Sequence, residues 1–254
     1  MVKRNSQMKN KKVIEVRDLI TEFDEKRILN NVSLDVVENE VMVILGGSGC
    51  GKTTLLKHII GLHSPVSGSI KIFNKEIFGM DEVEFENILK RVGVLFQNAA
   101  LLNSLTIREN VAIPFRQHTN LSEPLIQRLI RTKLHLVELD EAIDMSPAQL
   151  SGGMRKRAAL ARAIALDPLI LFCDEPSAGL DPVTASAIDS LIKKLNTQLN
   201  MTVVVITHEL ASIHRIADRV VFLDNGEVLY LGKLEDAENS KIPQINKFFE
   251  EGDF

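Results

Sequence analysis

Three short segments of the chain are apolar or β-branched at every position instead of alternating with polar residues. They are VMVIL (41–45), LILFC (169–173) and TVVVIT (202–207). A strand with one face in water alternates, whereas a strand that is buried on both faces has this continuous pattern. Such strands are typical of a parallel sheet covered by helices. The pattern therefore predicts an α/β fold with a mainly parallel central sheet.

Polar and glycine residues follow each of these predicted strands. The first is followed by GGSGCGKTT, the second by DEPSAGLD and the third by HE. Ligands of open α/β sheets bind at the carboxyl ends of the strands. We therefore expect the three strand ends to converge on one site.

The beginning of the chain has a different pattern. Residues 13–40 alternate between apolar and polar, with turn signals at Asn30-Asn31 and Glu38-Asn39. Alternation of this kind is typical of antiparallel strands that pack on one face. We therefore expect an antiparallel β subdomain in this region.

A helical pattern interrupts the chain between the predicted strands. Within residues 122–140, apolar residues recur at helical spacing after a Ser-Glu-Pro start, which predicts an inserted helical subdomain. The predicted apolar face comprises Leu125, Ile126, Leu129, Ile130, Leu134 and Val137.

Composition narrows the class of protein. The chain has 254 residues, of which 45% are hydrophobic and 25% charged, as in ordinary globular proteins. A formal net charge of −4 disfavours a general nucleic-acid binder, which needs a basic face. The cysteines, Cys50 and Cys173, are not spaced as a metal cluster, which favours a reduced, cytosolic setting. The sequence has no apolar run long enough to cross a bilayer.

Both ends of the chain carry charged residues. Residues 1–12 are basic but lack the apolar region of a signal peptide, so we expect a solvated tail, with contact to an anionic membrane surface as the alternative. The last residues carry Phe248, Phe249 and Phe254 among charges, and the pattern leaves their docking open.

The segment GGSGCGKT, from Gly46 to Thr53, fits the P-loop pattern G-x-x-x-x-G-K-[ST]. It follows a predicted strand and precedes the predicted helix TTLLKHIIGL, which is the context that the motif requires. In such a loop, backbone N–H groups surround the β-phosphate and the lysine, here Lys52, reaches the β- and γ-phosphates. The hydroxyl of Thr53 would ligate Mg²⁺. The sequence therefore predicts a nucleoside triphosphate site.

Two adjacent carboxylates end the run LILFCDE. Asp174 is expected to hold Mg²⁺ directly or through water, and Glu175 to polarise a water for attack on the γ-phosphate. His208 ends the third strand and is expected to contact the γ-phosphate, with a capping or core role as the alternative. Gln97 closes the run VGVLF and could orient water or ligate Mg²⁺. Together these residues predict a Mg²⁺-dependent nucleoside triphosphatase.

The remaining histidines do not have the spacing of metal ligands, so no metal site is predicted from them. They are His58, His63, His118, His135 and His214.

A second potential anion site lies in LSGGMRKR, which begins at Leu150. Ser151 precedes two glycines and the predicted helix AALARAIAL, so it stands where an N-cap is expected. Exposed backbone N–H groups at the positive end of a helix dipole bind anions. Arg155, Lys156 and Arg157 behind it either add positive field near a nucleotide or form the solvated side of the helix.

With LSGGM, the chain resembles the ATP-binding cassette ATPases. The motifs stand in the family's order: the P-loop, the glutamine loop ending at Gln97, the signature LSGGM, the acidic strand LILFCDE, the D-loop SAGLD and the switch histidine His208. The resemblance extends from about Val13 to Gly232. It implies a RecA-like P-loop core, ATP and Mg²⁺ as cofactors, and ATP hydrolysis.

The resemblance also implies a role for each matching residue. Nucleotide contacts would be made by Phe23, Gly46, Gly47, Ser48, Gly49, Cys50, Gly51, Lys52, Thr53, Thr54, Ser151, Gly152, Gly153 and Asp181. Thr53, Gln97 and Asp174 would be the metal ligands, and Glu175, His208 and Gln97 the catalytic residues. Phe23 stands where the family stacks an aromatic ring on adenine, although a strand core role is the alternative.

Head-to-tail dimers are the functional unit of this family. The signature serine and glycines of one copy contact the γ-phosphate that the P-loop of the other copy holds. Carried onto this chain, Ser151, Gly152 and Gly153 would face the nucleotide of a second copy, and Asp181 would lie at the interface. The implied division is a tail (1–12), an ATPase domain (13–235) with a helical subdomain at about 98–164, and a C-terminal segment (236–254).

A single cassette without membrane spans or a coiled-coil insertion resembles the motor of a transporter whose permease is a separate chain. The permease would dock near Ala99, Ala100, Leu101 and Leu102, whose alternative role is burial within the helical insert. Residues 96–121 and 150–168 resemble the ATPases of Mla/MCE-type lipid transporters. This implies phospholipid cargo, an MCE-type substrate-binding protein and a place on the cytoplasmic face of the inner membrane. A polar-solute importer and a soluble non-transport ATPase are the alternatives.

Overall fold

The computed structural model describes residues 11–24 and 26–251. Most of the expected basic tail and Phe254 lie outside these residues. The strands of the described part are β1 (Lys12–Phe23), β2 (Lys26–Val37), β3 (Val41–Leu45), β4 (Ser67–Ile72), β5 (Lys75–Glu76), β6 (Val92–Leu95), β7 (Ile170–Asp174), β8 (Thr202–Ile206), β9 (Arg219–Asp224) and β10 (Glu227–Lys233). The helices are α1 (Lys52–Ile59), α2 (Glu82–Leu89), α3 (Ile107–His118), α4 (Glu123–Leu136), α5 (Gly152–Ala163), α6 (Pro182–Leu199), α7 (Leu210–Ile216), α8 (Leu234–Glu238) and α9 (Pro243–Glu251).

The central sheet has six strands in the order β10-β9-β3-β8-β7-β6. Strands β9, β3, β8, β7 and β6 are parallel to one another, and β10 pairs antiparallel with β9 at one edge of the sheet. The three apolar runs form the adjacent strands β3, β8 and β7. The predicted α/β fold with a mainly parallel sheet is therefore confirmed.

Continuous apolar strands are explained by a hydrophobic core on each face of this sheet. Along β3, Val41, Val43 and Leu45 pack into the core that is formed with the helices α3 to α6. Met42 and Ile44 point to the other face and pack against α1 and the second sheet. Because both faces are dry, a polar residue at any position of such a strand would lose its solvation without a replacement.

Leu169 differs from the prediction. It was expected within the second buried run, but β7 begins one residue later and the side chain of Leu169 is 43% exposed. Its backbone N–H donates to the carbonyl of Arg91 (2.9 Å), so Leu169 lies just outside the sheet core.

The second sheet is antiparallel, in the order β2-β1-β4-β5, as the alternating pattern of the first residues predicts. The turn expected at Asn30-Asn31 is wrong. β2 continues through both residues, Asn31 has a φ of 51°, and the pairing with β1 shifts there. Asn30 donates its N–H to Gly226 across to the central sheet (2.8 Å). The asparagines therefore form a bulge that joins the two sheets.

Helices α3, α4 and α5 lie between β6 and β7. α4 begins after Ser122 with a proline in its first turn, as predicted. Of its predicted apolar face, Ile126, Ile130, Leu134 and Val137 are buried, Leu129 is half-buried and Leu125 is 41% exposed. The face is thus narrower than the sequence indicated. No helix in the described ranges combines the length and the apolar character that a membrane crossing requires.

Candidate nucleotide-binding site

The P-loop connects the buried strand β3 to the first residue of α1. Gly46 has a φ of 145°, and a Cβ at this position would lie 1.9 Å from the carbonyl oxygen of Leu223. Only glycine fits this backbone. The ammonium of Lys52 lies over the loop and donates to the carbonyls of Gly46 (2.7 Å) and Gly47 (2.8 Å). The loop is therefore folded around a buried lysine at the positive end of a helix.

The ends of β3, β7 and β8 meet at one cavity of about 380 Å³. Its lining comprises Gly46, Gly47, Ser48, Gly49, Lys52, Thr53, Gln97, Glu175, His208 and Phe248. The structure thus brings together most of the residues that the sequence singled out. Cys50 and Gly51 lie beside it in the same loop and are buried, and Thr54 follows in α1.

Of the acidic pair, Glu175 lines this cavity, whereas Asp174, which precedes it in the chain, does not. Asp174 is the last residue of β7 and only 5% exposed, and burial, then the negative charge of Glu175, raise the pKa of its carboxyl. Glu175 has a φ of 47°, which is uncommon for a residue with a side chain. Asp174 Oδ1 and Glu175 Oε2 are buried without a hydrogen-bond partner in the described part of the chain. Unpaired carboxylate oxygens of this kind suit a cation or a water molecule.

His208 contacts the acidic pair directly. Its Nδ1 lies 2.9 Å from Oε1 of Glu175. The ring is about half exposed and borders the cavity, so it can face a bound phosphate while it holds the carboxylate. The expected strand-end position of His208 is therefore observed, and its pairing with Glu175 is an addition that the sequence did not indicate.

The signature segment lies elsewhere. Ser151 is the N-cap of α5, as predicted, and its Oγ accepts the N–H of Met154 (3.3 Å). A Cβ on Gly153 would lie 2.4 Å from Cγ2 of Thr184, so only glycine allows α5 to pack this closely against α6. Ser151, Gly152 and Gly153 do not line the cavity around their own P-loop.

Asp181 and Phe23 also lie outside that lining. Asp181 caps α6 by accepting the N–H groups of Val183 and Thr184, both at 3.1 Å, and hydrogen bonds from Thr184 lower the pKa of its carboxyl. Phe23 is the last residue of β1, 43% exposed, with its ring edge-on to His63 at 5.5 Å. Both side chains are therefore accessible from outside the chain.

Phe248 is a lining residue that the sequence did not predict. It lies on α9, is 1% exposed, and packs edge-on against Phe222 at 5.5 Å and Phe249 at 5.4 Å. The apolar residues of the C-terminal segment were the available signal. Their spacing could indicate burial but not which surface they would cover.

A buried polar network lies behind the site. Asp189 on α6 is fully buried, and its Oδ2 accepts hydrogen bonds from Ser212 Oγ (2.8 Å) and from Arg215. Ser212 also lies 3.3 Å from the hydroxyl of Ser177, the first residue of SAGLD. Burial raises the pKa of Asp189, although Ser212 and Arg215 oppose this shift. The network joins α6 and α7 to the loop after the acidic pair.

The segment after Gln97 is held by α5. Arg162 donates to the carbonyls of Ala99 (3.0 Å) and Ala100 (2.8 Å). Ala99 is buried, whereas Leu102 is 49% exposed. A groove of about 440 Å³ lies beside this segment, and its lining includes Lys90, Ile113, Pro114, His118, Arg162 and Pro168.

A glycine-rich loop between a buried strand and a helix, with a carboxylate pair on a nearby parallel strand, defines a nucleoside triphosphatase of the P-loop class. The profile of the ABC transporter family matches residues 29–178. The chain therefore belongs to the ABC transporter family and is an ATP-binding, ATP-hydrolysing subunit of such a transporter.

Individual relatives support this assignment. The Haemophilus influenzae protein MlaF, described as an intermembrane phospholipid transport system ATP-binding protein, is 40% identical over 94% of this chain and 90% of its own length. The Clostridium tetani protein MetN, described as a methionine import ATP-binding protein, is 37% identical over 94% of this chain and 75% of its own.

A solved structure gives the same result for the fold. The ATP-binding cassette MJ0796, in a dimeric post-hydrolysis state bound to ADP and Pi, superposes with a TM-score of 0.80 at 34% identity. The match covers 87% of this chain and 98% of that one.

Proposed function

We propose that this chain energises the movement of phospholipids or other hydrophobic molecules between membranes, together with a separate integral permease and an MCE-type substrate-binding protein. The observation that carries this proposal is the 40% identity to a phospholipid transport ATP-binding protein across 94% of the chain. In this role the subunit would bind the permease on the cytoplasmic face of the inner membrane.

ATP binding is assigned to the P-loop and to Phe23. The N–H groups of residues 46–54 and the Lys52 ammonium would surround the phosphates at the start of α1. The exposed ring of Phe23 offers a face to the adenine base.

Mg²⁺ is assigned to Thr53, Gln97 and Asp174. Hydroxyl, amide and carboxylate oxygens are the hard ligands that this cation prefers, and Oδ1 of Asp174 has no partner among the described residues. Burial raises the pKa of Asp174, and a bound cation would oppose this shift by stabilising the carboxylate. When bound, the cation would neutralise charge on the β- and γ-phosphates.

Hydrolysis is assigned to Glu175 with His208. Glu175 lines the cavity and its Oε1 contacts His208, so its carboxylate could accept a proton from a water held in that cavity. His208 borders the same cavity as Lys52, so it can contact the γ-phosphate and the carboxylate at once.

A second copy of the chain would complete each site. Ser151 is exposed at the N-terminus of α5, and the signature glycines do not line the cavity of their own P-loop. In a head-to-tail dimer, Ser151, Gly152 and Gly153 would bind the γ-phosphate held by the partner, and Asp181 would lie between the two sites.

The permease is assigned to the surface beside Ala99–Leu102. The exposed Leu102 and the neighbouring groove of about 440 Å³ offer a recess beside β6, α3 and α5, and its lining mixes apolar residues with Glu86, Lys90 and Arg162. We place the ATPase domain at residues 13–235, with the helical subdomain at about 98–164 and the C-terminal segment at 236–254.

A second candidate is the motor of a polar-solute importer. The methionine import protein MetN is 37% identical over the same share of this chain. The sequence identities to the two relatives therefore differ by little. The motor domain does not contact cargo in either case.

Co-purification from native membranes tests the choice. We expect the tagged, full-length chain to bring down a multi-span permease together with an MCE-type protein and phospholipid. Recovery of a periplasmic solute-binding protein with a permease, or of no permease, would contradict the lipid assignment. A Leu102→Asp variant should lose the permease, whereas Leu125→Asp, at a similarly exposed leucine on α4 (41% against 49% for Leu102), should keep it.

A further inference from the structure

Lys156 is a buried cation whose place the sequence left open. It lies on α5, the helix that begins at Ser151, and is 6% exposed. Its Nζ donates to the backbone carbonyl of Gln97 at 2.6 Å and to that of Glu175 at 2.8 Å. Lys156 therefore neither forms part of a solvated face nor points at the P-loop cavity, whose lining excludes it.

The two carbonyls belong to loops with unfavourable backbone conformations. Glu175 has a φ of 47°, and Ala99 and Ala100, just after Gln97, have φ values of 61° and 52°. Left-handed backbone is unfavourable for a residue with a side chain, because its Cβ crowds the neighbouring carbonyl oxygen. Such conformations persist only where neighbouring groups hold them.

Burial of a lysine at this place has a cost of its own. Desolvation lowers the pKa of Lys156, while the nearby carboxylates of Glu175 and Asp174 oppose this shift. A buried ammonium is retained where it makes hydrogen bonds that an apolar side chain cannot replace. Here it satisfies two backbone carbonyls at once.

We propose that Lys156 is a positioning residue for ATP hydrolysis, which fixes the backbones of Gln97 and Glu175 to each other and to the helix that begins at the signature serine. The inference rests on the proposed roles of Gln97 and Glu175. Ser151 would contact the nucleotide that the partner holds. Binding of that nucleotide would therefore be transmitted along α5 to Gln97 and Glu175, the proposed metal ligand and base in the same chain as Ser151.

The test compares three variants of the full-length chain. Lys156→Met keeps the unbranched side chain except for its terminal ammonium and so removes both hydrogen bonds, and Lys156→Arg restores donors for two carbonyls. Arg157→Met is the matched control, because Arg157 is the next cation on α5 and contacts Val137 and Glu138 instead. The measurements are kcat and KM for ATP, equilibrium ATP binding and thermal unfolding.

Misplacement of the catalytic loops by about 1 Å lowers rates by up to about a hundredfold, so Lys156→Met should lose about ten- to a hundredfold in kcat. ATP affinity should stay within about twofold, since Lys156 does not line the cavity. Lys156→Arg should recover most of the rate, and Arg157→Met should keep it.

An unchanged kcat in Lys156→Met would overturn the inference. So would a parallel loss of kcat, ATP affinity and melting temperature, because that pattern indicates a structural role only. If Lys156→Met does not fold, Lys156→Leu, which also has no donor group, takes its place with the same criteria. Glu175→Gln is measured alongside: normal turnover in that variant would contradict the proposed base and not Lys156.

Discussion

At the scale of single residues, the two carboxylate oxygens of Glu175 have different surroundings. One oxygen contacts His208 at 2.9 Å, and the other is buried without a partner in the described ranges. The side chain is placed by a left-handed backbone whose N–H donates to Ile206 on the neighbouring strand. Strain at such a position is usually tolerated because it serves function.

Glu175→Gln should bind ATP but hydrolyse it about 10²–10⁴-fold more slowly, since the amide keeps the shape and cannot accept the proton. Steady-state phosphate release and equilibrium ATP binding check this. Lys52→Ala is the contrasting variant, because loss of the phosphate-binding ammonium should weaken ATP binding itself. Wild-type turnover in Glu175→Gln would remove it as the base.

The pH dependence of stability should report on Asp189. Burial raises the pKa of this carboxyl, so the folded chain holds the proton more tightly than the unfolded chain. The stability from this group is full below the ordinary aspartate pKa, about 3.9, and is lost as pH rises through the raised value. The free energy of unfolding of the wild type should therefore fall relative to Asp189→Asn as the pH rises above about 4.

Denaturant unfolding of both chains at several pH values checks this expectation. A relative gain of the wild type with rising pH would contradict it. That result would mean that Arg215 and Ser212 stabilise the carboxylate by more than its burial costs.

Single side chains also mark a limit of sequence reasoning. The P-loop, Asp174, Glu175 and Ser151 carry local patterns that indicate their places, because the chemistry depends on neighbouring backbone. Lys156 stands among cations on a predicted helix, and its partners are the carbonyls of residues far away along the chain. A local pattern has no information about such partners.

At the scale of elements, continuous apolar runs predicted β3, β7 and β8. Both faces of these strands are buried, so nearly every position needs an apolar side chain. Asn30-Asn31 misled the prediction for β2, since asparagine tolerates left-handed backbone equally in a turn and in a bulge. The choice between the two depends on Gly226 in the other sheet, which accepts the Asn30 N–H.

Helix α9 packs against the rest of the chain through Ile245 and Phe248, which are 0% and 1% exposed. The ring of Phe248 is fully buried against Phe222, whereas Phe249 is only half-buried beside His214. Phe248→Ala should lower the free energy of unfolding by about 3 kcal/mol, and Phe249→Ala by clearly less. Urea denaturation measures both. Equal, small losses would show that α9 does not depend on this contact.

At the scale of the whole molecule, the two parts of the proposed shared site, the P-loop and the signature segment, lie apart in one chain. The P-loop cavity lies at the carboxyl end of the central sheet, and the signature serine lies at the start of α5 outside that lining. The dimeric MJ0796 structure, bound to ADP and Pi, matches 87% of this chain. Two copies arranged head to tail would bring the two parts together.

The sequence predicted that two copies share each nucleotide site only through the family resemblance. Composition and spacing indicate an anion site at Ser151, but they do not identify the chain that supplies the anion. Likewise, the cavity, the His208–Glu175 pair and Phe248 required the fold, because each joins segments distant along the chain.

The central claim, that each site is shared between two copies, is tested most directly by mixing two inactive variants. Ser151→Arg blocks the signature and keeps the P-loop, and Lys52→Ala does the reverse. We expect each alone to be inactive and their mixture to hydrolyse ATP, because a heterodimer contains one intact P-loop opposite one intact signature. A mixture as inactive as its components would contradict the account.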